Sequence, residues 1–177
     1  LPEIESGMVR YKALRGLEML RLEFARRSSR QRNRFLDEVE GDGIRVEFDR
    51  TLTRSLDLLR CEAILSRAQQ LAPETATTVG RLLLELLHDK RVLAASRLFM
   101  MLGLLNPVEN FNQIQIGLVS ENENDRASAA ELIETLLPEN VARGVLGLAA
   151  PGRPEEQLAL AQPGLAEGEV DFADVVR

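Results

Sequence analysis

One short pattern recurs three times along the chain and constrains its fold more than any other sequence feature. The pattern is an arginine, then an alanine three residues later with a small or apolar neighbour, then an aliphatic residue one helical turn further on. Its copies are Arg10, Ala13, Leu14 and Leu17; Arg91, Ala94, Ala95 and Leu98; and Arg126, Ala129, Ala130 and Ile133. The last two copies begin 35 residues apart, at 91 and 126, which is about the length of one helix pair. Repetition at this distance predicts stacked helix pairs, because a small residue lets two helices approach closely while an aliphatic residue fills the core between pairs.

The amino-acid composition favours helices over strands. Hydrophobic residues make up 45% of the chain, but aromatic residues make up only 4%, and leucine and alanine dominate. Leucine and alanine form helices readily, whereas the β-branched and aromatic residues typical of strands are scarce here. A chain of 177 residues is long enough to bury one sizeable core. We therefore predict an all-α fold, built as an α-solenoid of stacked antiparallel helix pairs.

Apolar residues at helical spacing, separated by capping residues and prolines, predict the individual helices. Asp49 is the predicted N-cap of the second helix and Asn106 that of the fifth, and the polar run from His88 to Lys90 predicts a break. The predicted helices span residues 6–26, 50–72, 75–87, 91–105, 107–119, 126–137, 139–149 and 154–161.

The same periodicity predicts which side chains are buried. We expect the alanines of the second and third pattern copies to lie at helix–helix contacts; they are Ala94, Ala95, Ala129 and Ala130. We expect aliphatic residues of the same two helices in the core, namely Leu98, Leu102, Leu132, Ile133 and Leu136.

A helical-repeat domain is predicted over residues 1–150. Within it, residues 26–49 are predicted to form a charged connection, since a basic run is followed by acidic residues and two glycines. Residues 151–177 are predicted to hold a last short helix and then a flexible link toward a following segment. Because the chain starts without methionine and stops soon after a possible N-cap at Asp171, we expect it to be part of a longer polypeptide.

Three blocks of the sequence resemble HEAT-repeat regions, and more specifically the cytosolic helical region of certain large bacterial fusion proteins. The blocks are VRYKALRGLEML (9–20), RLFMMLGLLNPVENFNQIQIGL (97–118) and RASAAELIETLLPENVARGVLGL (126–148). In those proteins a membrane domain similar to nucleotide translocases and major-facilitator transporters precedes the repeats, and a cyclic-nucleotide-binding domain can follow. The resemblance implies a HEAT-like solenoid in the cytoplasm, on its own or as the cytosolic part of a membrane protein. It assigns neither transport nor nucleotide binding to this chain.

The residues that carry most enzyme chemistry are sparse. His88 is the only histidine and Cys61 the only cysteine, which leaves no zinc site of a common type. Gly41 and Gly43 lack the lysine and the serine or threonine of a phosphate-binding loop, and the acidic run 120–125 lacks the glycine and terminal glutamate of a calcium loop. We therefore predict a protein that is not an enzyme and holds no metal or cofactor, with His88 in a cap or at the surface.

Two kinds of function remain open. The first is a non-catalytic scaffold or regulatory module that contacts neighbouring domains of its own polypeptide or a partner protein; the candidate contact residues are Arg97, Glu131 and Glu134. The alternative is an electrostatic module that binds an anionic membrane surface or a nucleic acid through a basic run; its residues are Arg26, Arg27, Arg30, Arg32 and Arg34. Residues 121–177 hold only 4 basic residues against 12 acidic ones, so we expect a protein partner and no nucleic acid.

Overall fold

The computed structural model describes residues 12, 13, 15–17, 19, 41–71, 77–106 and 108–163, and these parts of the chain are helical without any strand. Six helices follow one another from residue 41 onward: α1 (Gly41–Leu71), α2 (Thr78–Leu105), α3 (Phe111–Leu118), α4 (Glu123–Leu136), α5 (Glu139–Ala149) and α6 (Pro154–Ala161). Residues 12, 13, 15–17 and 19, which lie inside the first predicted helix, are helical too. The all-α prediction is confirmed for the described residues.

Helices α1 and α2 are the longest elements, with 31 and 28 residues, and they form an antiparallel hairpin. Glu62 of α1 is level with Arg91 of α2, since the two side chains are hydrogen-bonded. Further along α1, Gln69 lies against Gly80, which comes earlier in α2. The points of contact move in opposite directions along the two helices, as they must in an antiparallel pair.

Helix α1 starts earlier than the sequence predicts. The predicted charged connection extends to residue 49, but α1 begins at Gly41, so the prediction is wrong for residues 41–49. Ile44 and Phe48 account for the difference, because both are buried and lie one turn apart on the face that also carries Leu52. Burying these side chains offsets the low helix propensity of the glycine at the start.

Helix α2 is continuous where the sequence predicts a break between two helices, so that prediction is wrong. His88, Asp89 and Lys90 lie in the middle of its 28 residues. The polar run does not end the helix because the side chains of His88 and Arg91 both reach Glu62 across the hairpin. The His88 side chain of this run therefore has a hydrogen-bonding partner within the fold.

The four shorter helices pack against the hairpin and against one another. Helix α3 lies against α2 and α4, and α6 packs against both α5 and α1. The closest approach is at Gly147 of α5, where an added Cβ would lie 2.5 Å from the Cβ of Ala161 in α6. Leu158 and Ala161 of α6 belong to the same core cluster as residues of α1 and α2.

The arrangement of the helices as a solenoid stays a prediction. In a linear stack each helix pair touches only its neighbours. Here α6, the last described helix, contacts α1, and α5 contacts α1, α2, α3 and α4. These contacts gather the helices around a common core.

Helix starts marked by a proline agree with the prediction, whereas a helix start predicted at an asparagine does not occur. Helices α5 and α6 have the predicted bounds, 139–149 and 154–161. Asn106, in contrast, is the C-cap of α2, where its backbone N–H donates to the carbonyl of Leu102. Asn110 caps α3 instead, and its side chain accepts a hydrogen bond from the backbone N–H of Gln113. The prediction that Asn106 begins a helix is wrong.

Most of the predicted core residues are buried or packed against the core. The fully buried ones are Ala95, Leu98, Leu102, Ala129 and Ile133, and the half-buried ones are Ala94, Ala130 and Leu136. Leu132 is the exception, because 45% of its surface is exposed on α4. Its place in the core was predicted from spacing, and that prediction is wrong.

Candidate functional site

A buried ion pair joins the two long helices. Glu62 of α1 and Arg91 of α2 are only 4% and 3% exposed, and Arg91 Nε donates to Glu62 Oε2 at 2.7 Å. Removing two charges from water is costly, and their attraction offsets that cost only when their remaining polar atoms also find partners. The partners of those atoms therefore determine what this pair does in the fold.

The other atoms of the ion pair bind His88 and the end of α5. Arg91 Nη1 donates to the carbonyl of Leu148 at 3.1 Å, and Arg91 Nη2 lies 3.2 Å from His88 Nδ1. Glu62 Oε1 lies 3.1 Å from the same ring nitrogen. The cluster of Glu62, His88 and Arg91, which we call the polar clamp, thus fastens α1, α2 and the last turn of α5 together.

His88 connects the polar clamp to solvent, because 55% of its side chain is exposed. Its Nδ1 can donate to Glu62 or accept from Arg91, but it cannot do both at once. The sequence predicts His88 in a cap or at the surface; the structure adds a role in the clamp. The signal for the clamp was weak, because its members are 26 and 29 residues apart along the chain. A glutamate on the face of α1 that buries Leu59 was the only hint.

A second side chain, from α6, also donates a hydrogen bond to a carbonyl at the end of α5. Gln157 of α6 is buried, and its Nε2 donates to the carbonyl of Ala150. The last carbonyls of a helix have no partner within the helix and need one from elsewhere. Arg91 and Gln157 supply two such donors, so this end of α5 is held by both α2 and α6.

The outer face of α2, which points away from the polar clamp, carries a row of exposed aliphatic side chains. We call this row the aliphatic stripe; it consists of Val79, Leu82, Leu83, Leu86 and Leu93. Their spacing places them on one side of the helix over about four turns. Each is between 44% and 73% exposed, although aliphatic side chains at such spacing usually lie against another element.

The same outer face is buried in the second half of α2. Leu104 follows Leu86 by five full turns and therefore points the same way, yet it is 5% exposed while Leu86 is 50% exposed. Met101, on this side too, is fully buried. Helix α3 packs against this half of α2, with a hydrogen bond of 3.3 Å from Gln115 Nε2 to Ser96 Oγ. The outer face is thus covered beyond Leu93 and uncovered before it.

The predicted contact residues lie on two different helices. Arg97 of α2, a predicted contact residue, is half-buried at the point where the covered part of the outer face begins. Glu131 and Glu134 of α4 are exposed, and Leu132 is exposed between them. Helices α2 and α4 are not among the pairs that pack extensively, so these residues do not form one closely packed group.

The predicted basic run lies outside the described residues; it consists of Arg26, Arg27, Arg30, Arg32 and Arg34. Cys61 is half-buried in α1. Among the residues that the structure describes, no three His, Cys, Asp or Glu side chains are grouped so that they would hold a metal ion.

The acidic run 120–125 contains the N-cap and the first turn of α4. Asn122 is the N-cap, and its side chain accepts a hydrogen bond from the backbone N–H of Asn124. Arg126 Nη1 donates to the carbonyls of Ser120 and Glu121 at 2.8 and 2.9 Å. In this copy of the repeated pattern, the arginine ties the preceding turn to its helix.

No protein-family model matches the chain, and no curated protein or solved structure is significantly similar to it. None of the helices in the described ranges is both long enough and apolar enough to pass through a bilayer.

Proposed function

We propose that this chain is a non-catalytic helical scaffold that binds another protein surface through the aliphatic stripe. The observation that carries the proposal is the contrast between Leu86 and Leu104, which point the same way on one helix with very different exposure. A row of exposed aliphatic side chains on one side of a helix, here interrupted by the exposed Asp89 and Lys90, is typical of a helix that packs against a partner. A rigid base for such contact is provided by the polar clamp, which holds the opposite side of α2.

The proposal extends to the finer architecture and setting of the chain. We propose a HEAT-like arrangement of helix pairs in the cytoplasm, within a larger transporter-like or signalling protein that resembles the bacterial fusion proteins. The repeated pattern supports it, because each of its last two copies buries one of its alanines, Ala95 in the second copy and Ala129 in the third. Glu131 and Glu134 remain candidates for a second contact surface on α4.

The experiment for this proposal measures binding between the chain and the polypeptide segments that its reading frame encodes on either side. Titration calorimetry would compare the natural chain with Leu86→Lys, with Glu131→Lys/Glu134→Lys, and with Leu160→Lys. Leu160 is the matched control, because it is a leucine of α6 with 46% exposure, close to the 50% of Leu86. We expect Leu86→Lys to weaken binding roughly tenfold or more, as for central apolar contact residues, and Leu160→Lys to leave it unchanged.

Unchanged binding in Leu86→Lys, with the fold intact by circular dichroism, would show that the stripe is not the contact surface. Weakened binding in the Glu131→Lys/Glu134→Lys variant alone would place the contact on α4 instead.

The alternative is the electrostatic module, for which the basic run over residues 26–34 is the supporting feature. Binding of the chain to anionic vesicles or to an oligonucleotide, measured at increasing salt, tests it. An electrostatic module loses affinity steeply as salt rises, whereas an apolar contact does not.

A further inference from the structure

We propose that α6 is a strap that detaches from the fold as a unit, turning about Gly152, while the other described helices stay in place. Detachment would uncover the sides of α1 and α5 against which α6 packs. The inference goes beyond the proposed function, because it concerns the last described helix and not the aliphatic stripe on α2. Such a strap is a conformational switch built into the fold.

The apolar contact that holds α6 is small. Helix α6 packs extensively against only two described helices, α1 and α5. It buries three side chains, Gln157, Leu158 and Ala161, of which only Leu158 is large and apolar. A helix of eight residues is not stable on its own in water. Leu158 is therefore the main apolar anchor of α6, and a helix with one such anchor is easily released.

Two buried oxygen atoms weaken the hold further. Glu155 Oε2 and Gln157 Oε1 have no hydrogen-bonding partner among the described residues. An acceptor that is buried without a partner raises the free energy of the attached form, and detachment returns both atoms to water. The gain from burying Leu158 is thus partly offset within the same helix. We therefore expect α6 to open at a lower free energy than the whole chain unfolds.

Helix α5 keeps its position without α6. It packs against α1, α2, α3 and α4 as well, and Arg91 Nη1 donates to the carbonyl of Leu148 from the side of α2. Detachment breaks the hydrogen bond from Gln157 Nε2 to the carbonyl of Ala150. Because this carbonyl belongs to the end of a helix, water can replace the lost donor. The polar clamp therefore still holds α5 when α6 has left.

Gly152 provides the hinge between α5 and α6. Its φ is +131°, and it is the only residue with a positive φ in the part of the chain that the structure describes. Glycine adopts positive and negative φ about equally well, so its backbone can rotate at little steric cost. A few loop residues that absorb such a rotation are enough to move a whole element. Rotation at Gly152 thus moves α6 without disturbing α5.

The closest contact between α5 and α6 offers a selective way to detach the strap. A Cβ added to Gly147 would lie 2.5 Å from the Cβ of Ala161 and 2.7 Å from the backbone oxygen of Gln157. Within α5, alanine forms helix more readily than glycine. Gly147→Ala should therefore push α6 away and leave α5 helical. Gly43→Ala is the matched control, because a Cβ there would meet nothing within 4 Å.

Native-state hydrogen exchange in low concentrations of guanidinium chloride tests whether α6 opens separately. In the natural chain, the amides of α6 should be at least roughly a hundredfold less protected than those in the middle of α1 and α2. Their exchange should depend little on denaturant, because the opening exposes little surface. Gly147→Ala should remove most of the remaining protection of α6 alone, and Gly43→Ala should leave α6 unchanged.

Two results of this experiment would overturn the inference. The first is exchange of α6 with the same protection and the same denaturant dependence as α1 and α2. The second is a loss of protection in α5 or α1 in the Gly147→Ala variant, because a separable strap gives way without unfolding its neighbours.

Two leucine variants test whether α6 detaches as a unit. Leu158→Ala removes the anchor and should speed exchange of all hydrogen-bonded amides of α6 alike, by at least roughly tenfold. Leu104→Ala weakens the core beside α3 and should leave exchange in α6 unchanged, because its surroundings stay folded when α6 detaches. Faster exchange confined to the last turn of α6 in Leu158→Ala would show fraying instead of detachment. Equal acceleration of α6 and α2 in Leu104→Ala would show that α6 opens only with the whole fold. Either result would overturn the strap.

Discussion

The two halves of the outer face of α2 have the same kind of sequence but different surroundings. Before residue 93 the aliphatic side chains are half or more exposed, whereas Met101 and Leu104 further along are buried. Helical periodicity selects which residues point to one side, and both halves satisfy it. It does not determine whether another element covers that side. The difference shows that an apolar stripe in a sequence predicts which side of a helix is apolar, but not whether that side is buried.

The largest loss of stability is expected from a change in the polar clamp, on the inner side of α2. In the exposed half of α2, only this inner side packs against other helices. Arg91→Ala should lower the free energy of unfolding by about 3–5 kcal/mol, since it leaves the buried Glu62 without its ion partner. Denaturant unfolding measures the change. The double variant Glu62→Met/Arg91→Met removes both charges and should cost clearly less. If the single variant costs no more unfolding free energy than the double one, the ion pair does not hold α1 and α2 together.

The next effect compares the two halves directly. Leu104→Ala should cost about 2–5 kcal/mol of unfolding free energy, because it opens a cavity in the core. Leu86→Ala makes the same chemical change on the same side of the helix and should cost about 0.5 kcal/mol or less. Both are measured by denaturant unfolding in dilute solution. Equal losses would mean that the stripe is covered within a single chain.

A smaller loss of stability is expected from a change at the contact between α3 and α4. Helix α3 packs against the half of α2 whose outer face is buried. Ala129 is buried, and a Cβ on Gly117 of α3 would lie 3.0 Å from the Cβ of Ala129. Ala129→Leu should therefore overpack this contact and cost about 1–3 kcal/mol of unfolding free energy. Ala127→Leu is the matched control, because residue 127 is exposed on the same helix. A near-zero cost for Ala129→Leu would place Ala129 outside the packed interface.

The sequence correctly predicted helix bounds that depend on residues close by in the chain. The bounds of α5 and α6 follow from prolines and short apolar runs close by in the chain. The start of α1 at Gly41 was missed, because the gain from burying Ile44 and Phe48 comes from distant helices. For the same reason the polar clamp could not be predicted from the sequence, because its residues come together only when the hairpin has formed.

The repeated pattern itself shows the same limit. Three of its four alanines expected at helix contacts, Ala95, Ala129 and Ala130, are buried or packed against the core, yet its arginines differ. Arg126 ties a turn to the start of a helix, whereas Arg91 lies buried in the middle of α2. A linear pattern fixes spacing, but the partner of each side chain depends on the packing around it.

The smallest effect is expected at the start of α6, on neither half of the outer face. Hydrogen bonds from the side chain and backbone N–H of Arg153 lower the pKa of Glu156 below its ordinary value of 4.5. The stabilisation is thus present above pH 4.5 and is lost as the pH falls through the lowered pKa. Glu156→Gln should slightly speed amide exchange in α6 at neutral pH, and the difference should vanish in acid. Glu134→Gln, an exposed change on α4, serves as the control and should leave α6 unaffected.

The central claim is that the stripe around Leu86 is an exposed face that binds another protein surface. Carbene footprinting of Leu86 and Leu104 in dilute solution, with and without the flanking segments, tests it most directly, because it reports the solvent exposure of each side chain. We predict strong labelling of Leu86 in the chain alone, which falls toward the low level of Leu104 when the flanking segments are added. Labelling of Leu86 that stays high in their presence would contradict the stripe as their contact face. Labelling as low as that of Leu104 in dilute solution would contradict the uncovered stripe itself.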